Sequence, residues 1–333
     1  MSHEGATPVG HEGATPVGHG GATPVGQAGA TPVGVVGLGA MGARIAARLL
    51  AAGHPVYGHN RTPERLTPLL TQGLTACASP REVAERAPVV LSMVWGSDAL
   101  RAITGGPDGL LAGLGPGQVY ADLSTVEPDA TREIAGAVAE RGAVMLDCPV
   151  SGSLDAAAEG RLVFLAGGPA RALARIRPVL DVLASDVVHV GAEHGQGVTL
   201  KLAVNLQVAI QAAAWGEALV VAERAGITRE RATEAMLASV IASPMLHYRA
   251  PFLLHEPAEV WASAAQLRKD VAYAVSGGTG TPAGDLTLKL LDAICAAGEG
   301  DREAAHLMRF VADRRAAADA DADTATDPTG EEE

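Results

Sequence analysis

Aromatic residues are scarce: Phe, Trp and Tyr make up 3% of the 333 residues. Core packing must therefore rest on Ala, Val and Leu, and the chain is 48% hydrophobic. Cysteine is scarcer still. Cys77, Cys148 and Cys295 stand far apart and form no ligand motif. An odd, sparse set excludes a disulfide framework and points to a reduced, cytoplasmic setting. Basic charge is also short: 25 Lys and Arg against 38 Asp and Glu give a formal charge of -13. That balance excludes a nucleic-acid partner, which needs a basic footprint. No apolar run reaches bilayer length without Gly, Pro or a charge inside it. No cationic start precedes an apolar core. Neither a membrane partner nor a leader segment is expected, and no metal.

Glycine and proline, by contrast, are plentiful, at 40 and 20 residues. Many sit in an N-terminal octapeptide repeat: HEGATPVG at 3–10 and 11–18, HGGATPVG at 19–26 and QAGATPVG at 27–34. His3, His11 and His19 invite a metal reading. One His per eight-residue unit fixes no ligand geometry, so residues 1–32 read as a disordered Gly/Pro segment. At the other end, seven acidic residues and no Lys or Arg fall between Asp319 and Glu333. Residues 316–333 read as a disordered acidic tail.

Between these ends the chain opens on V-G-V-V-G-L-G-A-M-G at 33–42. A β-branched strand feeds Gly37, Gly39 and Gly42 in a Gly-x-Gly-x-x-Gly, and a helix-forming run follows. Strand, glycine turn and helix form the context that a dinucleotide fingerprint requires. Gly37 permits the tight turn, Gly39 lets the backbone approach a pyrophosphate, and Gly42 brings the helix close. Leu38, Ala40 and Met41 fill the loop between them. The unpaired N–H groups of the helix start face the phosphates.

Further β-rich runs fall at 55–59, 88–93, 118–123, 144–147, 162–166 and 187–190, and helical stretches separate several of them. This alternation predicts an α/β, doubly wound Rossmann domain over 33–194, its later runs adding an antiparallel portion. From 195 to 315 the pattern becomes all-helical. The first helix, at about 198–225, is apolar on nearly every side and so belongs in a core or between subunits.

The second strand ends in Asn60-Arg61-Thr62. An acid here would bind the ribose 2′-hydroxyl and repel a 2′-phosphate. Arg61 instead offers a guanidinium fork, and Thr62 a hydroxyl, so NADP is expected over NAD. Lys201 and Asn205 are spaced i, i+4 and share one face of the apolar helix. An ammonium and an amide together on such a face are costly to bury without a purpose. Ser151, Gly152 and Ser153 form a turn after a strand ending in Asp147-Cys148-Pro149, a ready anion site. Ser124 and Thr125 end another strand, at the carboxyl edge where ligands bind. Val94 and Trp95 follow the run at 88–93.

With these motifs assembled, the chain resembles the β-hydroxyacid dehydrogenases from Val33 to about Arg309. The resemblance is carried by G-L-G-A-M-G and N-R-T, D-L-S-T-V-E-P at 122–128 and D-C-P-V-S-G-S at 147–153. G-R-L-V-F-L-A-G-G at 160–168, G-Q-G-V-T-L-K-L-A-V-N at 195–205, R-K-D-V at 268–271 and G-E-G-D at 298–301 extend it. It implies that Lys201 is the general acid/base and that Asn205 holds the lysine and the substrate. Ser124 would lie near nicotinamide and substrate, Val94 and Thr125 along the nucleotide, and Lys269 at the cofactor or active-site mouth. Asp270 would be mostly structural. The implied reaction interconverts a small 3-hydroxy or 4-hydroxy acid and its semialdehyde, with NADPH, in a homodimer or homotetramer. Ser153, Val204 and Trp95 depart from the family pattern, where Gly, Asn and a Leu-Pro pair are common. Two other readings stand beside this one: an imine reductase-like enzyme, usually without lysine at position 201, and a non-catalytic NADP-binding assembly protein.

Overall fold

A four-residue run such as Val33–Val36 has no polar face, so it is stable only when covered on both sides. The computed structural model, which describes residues 30–276 and 280–314, covers it so. β1 (Val33–Val36) is buried at every position. Around it lie β2 (Val56–His59), β3 (Thr75–Ala76), β4 (Val89–Ser92), β5 (Val119–Asp122) and β6 (Val144–Asp147). β7 (Val150–Ser151), β8 (Leu162–Gly167) and β9 (Ala184–Gly191) complete the sheet. The strand order is β3-β2-β1-β4-β5-β6-β8-β7, with β9 on β8. Every pairing from β3 through β6 is parallel. β8 runs antiparallel to β6 and β7 and parallel to β9.

Alternation divides the strands between two cores. Val33, Val35, Leu91 and Ala121 enter one apolar cluster; Val36, Val90, Tyr120 and Met145 enter another. A third core, around Trp215, Leu219, Leu291 and Met308, lies in the helical part. The Rossmann and all-helical architecture is therefore the one expected. The sequence reading omitted β3 and β7, each two residues long and too short to show alternation.

The long apolar run becomes the helix Gln196–Arg224, ended by Gly226 at φ 78°. It packs on β8, β9 and the helices Ala264–Val275 and Pro282–Ala296. Among the described residues it alone is long and apolar enough to cross a bilayer. The expected all-round burial is not found within one chain: 33% of its most apolar window is buried, and Val221 is 71% exposed.

Its start is fixed by β6. Asp147 accepts hydrogen bonds from Gly195 N at 3.0 Å and Val198 N at 2.9 Å. A carboxylate here satisfies orphan amides and complements the helix dipole. A Cβ at Gly197 would lie 2.3 Å from Leu165 O and 2.6 Å from Asp147 O. Helix and sheet thus meet backbone to backbone. The acidic tail and the repeats up to residue 29 lie outside the described residues; Val33 and Gly34 of the last repeat belong to β1. Thr31 leads into β1, and its carbonyl accepts from His54 Nδ1 at 2.9 Å.

Candidate active site

The three glycines have different tasks. At Gly37, φ is 91° and a Cβ would lie 2.2 Å from Met93 O; at Gly42 it would lie 2.0 Å from Gly37 O. Those two positions are closed by backbone. At Gly39 the nearest atom is Arg65 Nη1, 3.9 Å away, so its glycine leaves space for something outside the chain. The helix Ala40–Ala51 starts there with no side-chain cap and no acid in its first turn. Open amides, a bare Cα and a nearby guanidinium fit a dinucleotide pyrophosphate.

Asn60 supports this loop from behind. Its Oδ1 accepts from Leu38 N at 2.9 Å, and its Nδ2 donates to Thr62 O at 2.9 Å. Leu38 is 1% exposed and belongs to the core. Arg61 and Thr62 are exposed beyond β2. Arg65, which the sequence reading passed over, reaches the loop and lines the cleft. Its signal was a second cation four residues beyond Arg61.

Between the glycine loop and the helical part lies a cleft of about 540 Å³. It brings together Gly39, Ala40, Met41, Gly42, Val94 and Thr125 with Ser151, Gly152, Ser153, Lys201, Asn205 and Lys269. Gly37, Leu38, Asn60, Arg61, Thr62 and Ser124 do not line it. Ser124 is 1% exposed. Its Oγ donates to Asp122 Oδ1 at 2.7 Å and accepts from Val94 N at 2.9 Å. Through these two bonds Ser124 ties the loop after β4 to the end of β5.

Lys201 is half-buried on the cleft wall. Its Nζ has no hydrogen bond or ion pair among the described residues. Burial pulls its pKa from the ordinary 10.5 to about 8; Asp270 opposes that fall, while Arg249 and Lys269 add to it. One turn on, Asn205 Nδ2 donates to Asp270 Oδ2 at 2.7 Å. Asp270, 4% exposed, also pairs through Oδ1 with Lys269 Nζ at 2.7 Å. Lys269 in turn donates to Thr125 O at 2.7 Å. One chain of contacts therefore joins the long helix to the carboxyl edge of β5. Asp270 orients the amide beside Lys201, a larger part than the sequence reading gave it.

Ser151 and Gly152 form the cleft's opposite rim. Gly152 has φ 144°, and a Cβ there would lie 2.9 Å from Leu162 Cδ2. Ser153 lines the cleft, but its Oγ caps the helix Leu154–Glu159 by accepting from Ala156 N at 3.1 Å. Beneath the rim, Asp122 and Asp147 stand side by side in the β5–β6 register. Burial raises both carboxyls, Asp122 to about 6.

A glycine loop where the strand order reverses, facing a partnerless ammonium across one cleft, belongs with the dinucleotide-dependent oxidoreductases. The family model for the NAD binding domain of 6-phosphogluconate dehydrogenase matches residues 32–191. That for the NAD-binding domain of NADP-dependent 3-hydroxyisobutyrate dehydrogenase matches residues 195–311. A 3-hydroxyisobutyrate dehydrogenase of Pseudomonas aeruginosa is 37% identical over 60% of this chain and 66% of its own length. An L-threonate dehydrogenase of Cupriavidus necator is 35% identical over 65% of this chain and 73% of its own length. Among solved structures, the 3-hydroxyisobutyrate dehydrogenase of Salmonella typhimurium superposes with a TM-score of 0.77 at 28% identity. That match covers 84% of this chain and 99% of the other. Psf3 in complex with NADP+ and 2-OPP superposes at 0.78, with the same identity and coverage. The chain belongs to the 3-hydroxyisobutyrate dehydrogenase-like family of NAD(P)-dependent hydroxyacid dehydrogenases.

Proposed function

We propose that the protein interconverts a small 3-hydroxy or 4-hydroxy acid and its semialdehyde, with NADP as the hydride carrier. One observation carries the reading: Lys201 presents an unpartnered ammonium to the cleft, with a pKa of about 8. Such a group donates a proton to a carbonyl oxygen and takes it back in the oxidative direction. The bound dinucleotide supplies hydride chemistry at its nicotinamide.

Asn205, held by Asp270, keeps an amide beside the lysine and hydrogen-bonds the reacting oxygen. Ser151 and the amides of the Gly152 turn hold the substrate carboxylate. The glycine loop and Arg65 hold the pyrophosphate. Arg61, exposed and without an acid beside it on the strand end, is free to fork onto a 2′-phosphate, which favours NADP. The apolar face left open on the long helix fits burial against a second copy, in a homodimer or homotetramer.

Reduced-nicotinamide absorbance tests the reading directly. NADPH and NADH are offered with carboxylate-bearing semialdehydes and with cyclic imines. Turnover of the semialdehydes, faster with NADPH, is expected. Turnover of imines alone would move the protein to the imine reductases and remove Lys201 from its role. NADPH binding without any turnover would leave a binding protein.

A further inference from the structure

The cleft is cationic in an acidic protein. Its lining holds Arg65, Lys201, Arg249 and Lys269 against one carboxylate, Asp270. Arg65 adjoins the glycine loop, and Lys269 is held by Asp270 and Thr125. Arg249 has no place in the chemistry above. It ends the short helix Pro244–Arg249 and enters the cleft from the helical part.

Its setting is that of a prepared receptor. The side chain is 12% exposed, and it lines the cleft. Behind it, Glu303, 6% exposed, pairs with Nη1 at 3.0 Å. Glu303 is itself fixed, accepting from Ala305 N through Oε2. Arg249 Nε is buried without a hydrogen-bond partner. A desolvated ion pair is a weak source of stability, and an orphaned N–H adds a cost. A guanidinium braced from one side, short of hydrogen bonds and edged onto a cleft is arranged to take an anion. Arg249 is also near enough to Lys201 to lower its proton affinity. An acid bound there offsets that influence and favours the charged lysine.

We propose that Arg249 is a second anion receptor in the cleft, selecting hydroxy acids that carry a further carboxylate. One carboxylate rests on the Ser151–Gly152 turn and the other on Arg249, with the reacting carbon between them at Lys201. This rests on the hydroxy-acid reading above. The preferred substrates are then hydroxy-dicarboxylates and their semialdehydes.

The test is calorimetric titration of the NADPH complex with glutarate and with its monoamide, glutaramate, which keeps the shape and loses one charge. Wild type binds glutarate more tightly. In R249M that preference falls about a hundredfold, as for a lost buried charge partner. R249K restores part of it. R249M/E303Q removes both charges, so it separates lost recognition from the strain of a stranded Glu303; it shows the same loss. Equal binding of the two ligands by wild type, or an unchanged preference in both Met variants, overturns the proposal. Turnover of a hydroxy-dicarboxylate and its monoamide is followed in parallel. Glutarate binding that depends on Arg249, with no turnover of any hydroxy acid, would retain the receptor and refute the dehydrogenase reading instead.

Discussion

Titration of Lys201 gives the most direct check on the chemistry. The side chain loses its proton at about 8 instead of 10.5. At pH 7 this raises the neutral fraction about 300-fold, to about one lysine in eleven. The protein can therefore work in both directions near neutrality. Hydroxy-acid oxidation needs neutral Lys201 as base, so kcat/KM rises with pH and levels off above about 8. Semialdehyde reduction needs the ammonium, so its kcat/KM falls through the same pH. Asp270 favours the ammonium, so D270N moves both midpoints to lower pH. It also frees the Asn205 amide, held at 2.7 Å, and so lowers kcat. K201M loses about 10²–10⁴-fold in kcat while still binding NADPH. Rates in both directions across pH 6 to 10, with cofactor titration of each variant, make the assay. An oxidation limb near 10, or one that survives unchanged in K201M, would refute this reasoning.

Other expectations concern the cofactor loop and the sheet. G39A folds with an unchanged Tm but weakens NADPH binding at least about tenfold, because the added Cβ meets nothing nearer than Arg65 Nη1 at 3.9 Å and takes up space left for the pyrophosphate. G37A instead lowers Tm, because Met93 O stands 2.2 Å from the added carbon and φ is positive. R61A lowers the NADPH-to-NADH affinity ratio about tenfold or more, whereas R65A weakens both cofactors alike, and paired titrations with the two cofactors read it. For Asp122, the folded carboxyl releases its proton at about 6 against the ordinary 3.8. The stability it contributes is full below 3.8 and is lost as pH rises through about 6, by up to about 3 kcal/mol. D122N flattens that slope, and the Tm difference between variant and wild type widens from pH 4 to 7.

Much of this was legible because periodicity and glycine placement act locally. The strand-loop-helix at 33–51 and the helix carrying Lys201 are each fixed by residues adjacent in the chain. The pairing of Asn205 with Asp270 was not, since 65 residues separate them. Only the fold could bring that aspartate to the amide. Ser124 is a case of another kind. Its place beyond a strand end was legible, but which way its hydroxyl turns depends on Asp122 two residues away and Val94 in the loop after β4. Arg249 carried no motif, and its position follows from Glu303 across the helical part.

The two family matches end and resume between residues 191 and 195, an inviting seam for recombining halves from different relatives. Asp147 crosses that seam. Its two oxygens hold the first turn of the very helix that bears Lys201, and the turn carrying Ser151 begins just beyond it. A chimera cut there inherits a lysine aimed by a foreign carboxylate. For the graft to keep its aim, the donor helix must bring glycines at 195 and 197, and the recipient strand must end in Asp.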